Sequence, residues 1–246
     1  MSDFEEFEGA KNKSIAALGS DVIAKSLTKQ WFERVSLQRY SYNFTWLGQP
    51  IIQFPQDIIA IQEVIWKVKP DLIIETGIAR GGSLMFYASM LELLGGNGIV
   101  VGVDVDIRPH NRAAIEAHAL SRRIRLVQGS SIDDDTLSQV KKFAKTSECV
   151  MVILDSNHQK SHVLNELRLY QEFVRRGSYL IVLDTIIDDM PVEFSANRPW
   201  SPGDGPKAAV HEFLKETNRF EIDPTYPDKL LITVAPDGFL MCIRNP

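Results

Sequence analysis

Only 2 cysteines occur in 246 residues, Cys149 and Cys242, and both fall inside apolar, strand-like runs. They read as small buried hydrophobes in a reducing compartment, which excludes a disulfide framework and makes the cytoplasm the expected location. No apolar stretch approaches the ~20 residues that crossing a bilayer requires, so no membrane span is expected. The start, Met1-Ser2-Asp3-Phe4-Glu5-Glu6, is acidic and has none of the apolar character of a secretory signal. Positive charge is also scarce: 27 Lys and Arg stand against 32 Asp and Glu, for a net charge of −5. Without a dense basic cluster, nucleic acid is not an expected partner, and a small-molecule or glycan substrate fits better. Internal repeats and low-complexity tracts are absent. What remains, at 44% apolar content, is enough to bury the core of one α/β domain.

Residues 1–50 differ from the rest and are expected to form an N-terminal cap, with the main domain over 51–246. Within the cap, 21–37 carries apolar residues at helical spacing. An aromatic segment follows, Tyr40-Ser41-Tyr42-Asn43-Phe44-Thr45-Trp46. It suits either a substrate mouth or subunit contact, or a packing cap over the main domain. A homo-oligomer built through this region is an expectation on that basis.

From Pro55 onward, helical patterns alternate with short β-branched runs at 72–74, 99–103, 124–127, 150–154 and 179–183. Apolar runs without alternation imply strands buried on both faces, and their interleaving with helices implies right-handed βαβ units. The segment 230–241, with Pro236-Asp237-Gly238 between apolar runs, reads as an antiparallel hairpin. The expected fold is therefore α/β: a doubly wound, mostly parallel, seven-stranded Rossmann-like sheet closed by a C-terminal hairpin.

Ligands of open α/β sheets bind at the carboxyl ends of the strands, which singles out five segments. Glu75-Thr76-Gly77-Ile78-Ala79-Arg80-Gly81-Gly82-Ser83 follows one strand and opens a helix, and its glycines let backbone approach a ligand. Its spacing, Gly-x-x-x-Gly-Gly, differs from the Gly-x-Gly-x-x-Gly of dinucleotide enzymes. A tight strand-to-helix turn would explain it equally. Asp104 ends the next strand, where a carboxylate can accept the hydroxyls of a ribose. Ser130 and Ser131 follow the third strand and could bracket an adenine, or simply cap a helix. Asp155 and His158 follow the fourth. A carboxylate at the end of so apolar a strand needs a cation or several donors, and a histidine there can serve as general base. His162 pairs with His158 at a four-residue spacing but without the Glu of a His-Glu-x-x-His motif. Asp184 ends the fifth strand and should lie beside Asp155, with Asp188 or Asp189 near enough to complete an oxygen-rich site for Mg²⁺. The alternative for Asp188 and Asp189 is ordinary loop residues. The long irregular stretch 190–206 suits a lid over an acceptor pocket.

Taken in order, Glu-Thr-Gly-Ile-Ala-Arg-Gly-Gly-Ser, Val-Asp-Val-Asp-Ile-Arg, Gly-Ser-Ser, Leu-Asp-Ser-Asn-His and Gly-Ser-Tyr-Leu-Ile-Val-x-Asp-Thr resemble the cephalosporin hydroxylase / rhamnosyl O-methyltransferase family. The likeness runs from about Trp46 to the C-terminus. It implies a class I methyltransferase fold, S-adenosylmethionine (SAM) as donor and a Mg²⁺ ion. By position, Glu75, Thr76, Gly77, Gly81 and Ser83 would form the donor loop, with Asp104 on the ribose, Ser130 and Ser131 by the adenine, and Asp155 at both donor and metal. The expected metal ligands are Asp155, Asp184 and Asp189, and the expected catalytic pair is His158 with Asp155. One departure stands out: some relatives carry an acidic residue where this chain has Leu183. Hydroxylation by non-haem iron would need two His and a carboxylate in a facial triad, and no His here sits in a His-x-Asp or His-x-Glu pair. The expected reaction is methyl transfer to a hydroxyl of a sugar or secondary metabolite. A nicotinamide-dependent oxidoreductase and a non-catalytic nucleoside-binding protein are the competing readings.

Overall fold

The positions of the strand ends follow from how each strand is bracketed by helices. In a computed structural model, which describes residues 2–196 and 198–246, the order is α1 (Asp3–Ser20), α2 (Val22–Ser36), β1 (Phe44–Trp46), β2 (Gln49–Ile51), α3 (Pro55–Val68), β3 (Leu72–Thr76), α4 (Gly82–Leu94), β4 (Ile99–Asp104), α5 (Pro109–Ala117), β5 (Ile124–Gln128) and α6 (Asp134–Ala144). It continues with β6 (Val150–Leu154), α7 (Lys160–Tyr170), β7 (Tyr179–Val182), α8 (Pro206–Glu216), β8 (Phe220–Ile222), α9 (Thr225–Leu230) and β9 (Phe239–Cys242). Proline opens α3, α5 and α8, where the missing N–H costs nothing. Lys69 ends α3 in a left-handed conformation directly before Pro70.

Seven strands form one sheet in the order β5-β4-β3-β6-β7-β9-β8. The first five are parallel, and β9 runs antiparallel to both β7 and β8. Both faces are buried, as the non-alternating strands imply. Ile73, Met151, Ile153 and Ile181 pack into one core layer; Leu72, Ile74, Val152 and Leu180 pack into the other. No helix among the described residues is long and apolar enough to cross a membrane.

Strand order reverses between β3 and β6, the switch point at which open α/β sheets bind ligands. Register then fixes the neighbours. Thr76 pairs with Val103 on one side and Leu154 on the other, and Leu154 pairs with Val182. Gly77, Asp104, Asp155 and Leu183-Asp184 therefore leave the sheet side by side.

The C-terminal hairpin differs from the sequence expectation. The closing strands are β8 and β9, and the run 230–234 is not a strand. Thr233 Oγ1 and the Val234 N–H donate to the fully buried Asp57 carboxyl on α3, and Ile186 N–H donates to Val234 C=O. Backbone groups engaged in this way cannot join a ladder. Leu231 in the left-handed region also breaks the extended path. Upstream, the aromatic 40–46 segment makes a 3-10 turn (Tyr40–Asn43) and strand β1. Trp46 packs edge-on against Phe86 and donates from Nε1 to Ser89. Helix α1 has no buried residue.

Candidate active site

The loop after β3 is built for close approach. Gly77 has φ +82°, and a Cβ there would overlap the carbonyl oxygen of Asp155 at the end of β6. Gly81, also at φ +82°, opens α4, and a Cβ on Gly82 would meet the Pro50 carbonyl of β2. Only glycine satisfies both the dihedral and the space at Gly77. Gly77→Ala should force β3 and β6 apart at the switch point. The expected outcome is a loss of ~2 kcal/mol or more in thermal denaturation, combining left-handed strain with overpacking. Nucleoside binding at this loop should be lost with it in calorimetry.

Glu75 lies beneath this loop. It is fully buried, accepting from Ser83 Oγ at 2.7 Å and from Tyr87 Oη at 3.1 Å. Desolvation raises its pKa to about 8, against the lowering effect of those two hydrogen bonds. Its side chain thus supports the loop from the core side. The carboxyl keeps its proton in the folded protein at pH values where the unfolded chain releases it. Its contribution to stability is complete below the ordinary Glu value and is lost as pH rises through about 8. Glu75→Gln should flatten the decline in melting temperature between about pH 5 and pH 8. An unchanged slope would place the titration elsewhere.

Thr76 is also fully buried, with no partner for its Oγ1 among the described residues. Asp104 is half-buried. Its carboxylate accepts from the N–H groups of Ile78 (2.9 Å), Ala79 (3.4 Å) and Asp106 (3.0 Å), tying the β4 end to the glycine loop. After β5, Ser130 is half-buried and Ser131 buried. Ser131 Oγ lies 3.1 Å from His162 Nε2, which also approaches Ser156 Oγ at 3.3 Å. His162 belongs to this hydroxyl network and not to a metal pair with His158.

Asp155, His158 and Asp184 converge. One ligand atom from each lies within 4.8 Å of the others, and His158 Nε2 is 2.8 Å from Asp184 Oδ2. Asp184 takes the left-handed conformation (φ 55°) as the chain leaves β7, which aspartate tolerates better than most residues. Burial, and then the charges of Asp184, Glu75 and Glu166, hold the Asp155 pKa well above the carboxylate range. For His158, burial opposes protonation, but the charge of Asp184 and its hydrogen bond outweigh that and raise the pKa. Two carboxylates this close repel unless a cation or proton lies between them, so the donor set fits a divalent cation. Trp200 meets the His158 ring edge-on at 5.7 Å.

Asp189, expected as a third ligand, is not in this cluster. Its carboxylate pairs with Lys207 Nζ. Asp188 is engaged too, accepting N–H bonds from Gly203, Gly205, Lys207 and Ala208. It anchors the far end of the long 190–206 stretch. Leu183, at the position before Asp184, is buried in the core.

A cavity of about 240 Å³ opens above the cluster, walled by Phe32, Tyr40, Tyr42, Phe54, Phe194 and Trp200, with Arg39 and Arg198. Part of the aromatic 40–46 segment thus lines this pocket while Trp46 packs on the domain. Arg39 and Phe54 were not legible as site residues, because nothing local marks a helix end or a loop as facing the site. A larger cavity, about 630 Å³, lies beyond Phe32 and Ile186 and contains neither the glycine loop nor the cluster.

Residues 38–243 match the family described as Rhamnosyl O-methyltransferase/CmcI. The chain belongs to that family. A rhamnosyl O-methyltransferase of Mycobacterium tuberculosis is 28% identical over 229 residues, 92% of this chain and 86% of the relative. That of Mycobacterium leprae is 28% identical over 201 residues, covering 80% and 82%. Among solved structures, CmcI described with Mg and SAM superposes with a TM-score of 0.56 at 18% identity over 82% of this chain and 77% of that one. An O-methyltransferase from Bacillus cereus in complex with S-adenosylhomocysteine (SAH) gives 0.53 at 15% identity, covering 92% of each. At these identities the structural likeness speaks for the fold.

Proposed function

We propose that this chain is a SAM-dependent, cation-assisted O-methyltransferase that methylates a hydroxyl of a sugar or sugar-bearing natural product in the cytoplasm. The observation that carries this reading is the convergence of Asp155, His158 and Asp184 at the switch point, directly beside the glycine loop. Support comes from the family match, from rhamnosyl O-methyltransferase as the name of its relatives, and from the SAM, SAH and Mg named for its structural neighbours.

In this reading the glycine loop, Asp104 and the Ser130/Ser131 segment hold the donor. The space over the loop, under Pro50, Ile52 and Gln53, is only about 20 Å³. Asp155 and Asp184 would hold the cation, which when bound supplies Lewis acidity that makes an acceptor hydroxyl easier to deprotonate. Were Asp184 to hold the cation, it would release His158 Nε2, which could then take that proton as general base. The aromatic walls exclude water and align the acceptor oxygen with the donor methyl, which accounts for much of the rate. Exposed Phe4, Phe7, Val22, Ile23 and Leu27 on α1 and α2 support self-association through the N-terminal helices.

The direct test is transfer of label from methyl-tritiated SAM, with Mg²⁺ present, to a panel of rhamnosides and other glycosides. The reading expects label in a sugar ether. A panel of acceptors that receives none, with donor demonstrably bound, counts against it.

A further inference from the structure

The acceptor pocket carries charge of both signs. Asp155, His158 and Asp184 line it together with Arg39, Arg198 and several aromatic rings. Arg39 and Arg198 are both exposed, so solvent screens the two guanidinium charges until an occupant covers them. Neither forms an ion pair with a described residue. Arg198 is near enough to His158 to disfavour its protonation. Arg39 lies 4.9 Å over the Tyr42 ring, a cation–π contact that restrains its head group. Its backbone is left-handed, φ 53°, three residues past the end of α2 and directly before the Tyr40–Asn43 turn, a conformation that favours glycine or asparagine and here carries a long cationic side chain.

A planar guanidinium offers paired N–H donors matched to carboxylate or phosphate oxygens. An occupant that covers the two groups strips that solvent away, so one that brings an anionic group to pair with them is favoured over a neutral one. The aromatic walls suit the flat, C–H-bearing face of a sugar ring. We propose that the acceptor is an acidic sugar, whose carboxylate or phosphate is held by Arg39 and Arg198 while its hydroxyl lies at His158. This deepens, and rests on, the methyltransferase reading of the same site.

Glucose, glucuronate and glucose 6-phosphate, titrated calorimetrically into the full chain loaded with Mg²⁺ and SAH, separate the possibilities. At least one acidic sugar should bind tenfold or more tightly than glucose, less so at higher salt. That advantage should vanish in the Arg39→Ala/Arg198→Ala double variant and return in part with lysine at both positions. A preference for glucuronate identifies a carboxylate, and a preference for glucose 6-phosphate identifies a phosphate. Equal binding of all three sugars, no binding of any, or undiminished acidic-sugar binding in the double variant overturns the proposal. SAH binding is read separately in wild type and variant. Its absence from wild type would sink the methyltransferase reading, whereas its retention in a variant that has lost the acidic-sugar advantage confines the effect to the acceptor.

Discussion

Asp184→Asn is expected to lower methyl transfer by ~100-fold or more while leaving SAH affinity within a few-fold of wild type. The carboxylate can serve either of two partners: one of its oxygens lies within 4.8 Å of a ligand atom of Asp155, and Oδ2 holds His158 Nε2 at 2.8 Å, a contact that holding a cation would replace. Asparagine keeps the shape and tolerates the left-handed backbone at this position. The substitution therefore removes charge without disturbing the fold. Several kcal/mol of transition-state stabilisation attend a lost metal ligand, and a loss confined to turnover marks an interaction made only in the transition state. EDTA should act in the same direction, with recovery on adding Mg²⁺. Asp155→Asn should also reduce turnover, but Asp155 is assigned to both donor and cation, so the variant tests the two together. Full activity in Asp184→Asn, or indifference to EDTA, would remove the cation from the account.

His158→Gln carries the second large effect, a fall of ~100-fold or more in turnover at neutral pH, the usual scale for a general base. The sign of the pH dependence follows from the residue's surroundings. Burial disfavours the charged ring, yet Asp184 outweighs it and lifts the pKa. In the metal-free protein the ring should therefore titrate above the ordinary histidine value of about 6.5. Adding Mg²⁺ should move that midpoint down, because the cation neutralises Asp184. Asp184→Asn should move it down without metal. The base acts when neutral, so activity should rise with pH through the metal-loaded midpoint. NMR titration of the His158 ring protons reads each shift. A midpoint insensitive to both Mg²⁺ and Asp184→Asn would assign the proton to another group.

Strands β3 to β7 were legible because burial on both faces leaves unbroken β-branched runs, and the strand ends then followed from the switch-point rule. Register makes this concrete: Thr76, Val103, Leu154 and Val182 form a connected row of pairings, so the residues after them must be neighbours. What the sequence concealed was settled by contacts distant in the chain. The 230–234 run has the composition of a strand, but buried Asp57, 176 and 177 positions away, takes its donors. Asp189 has the chemistry of a ligand, but Lys207 on α8 takes its carboxylate. Helix α1 escaped notice because, with no buried face, it leaves no apolar stripe to read. Glu75 stood in the donor loop by position, and only the fold shows its side chain pointing into the core between Ser83 and Tyr87.

Everything chemical in this account depends on what the Gly77–Ser83 loop holds, so a calorimetric titration of the purified chain with SAH and, separately, with NAD is the most direct measurement. The account predicts saturable one-site binding of SAH, no binding of NAD, and loss of the SAH signal in Gly77→Ala. Saturable binding of NAD, or of neither nucleoside, would contradict it.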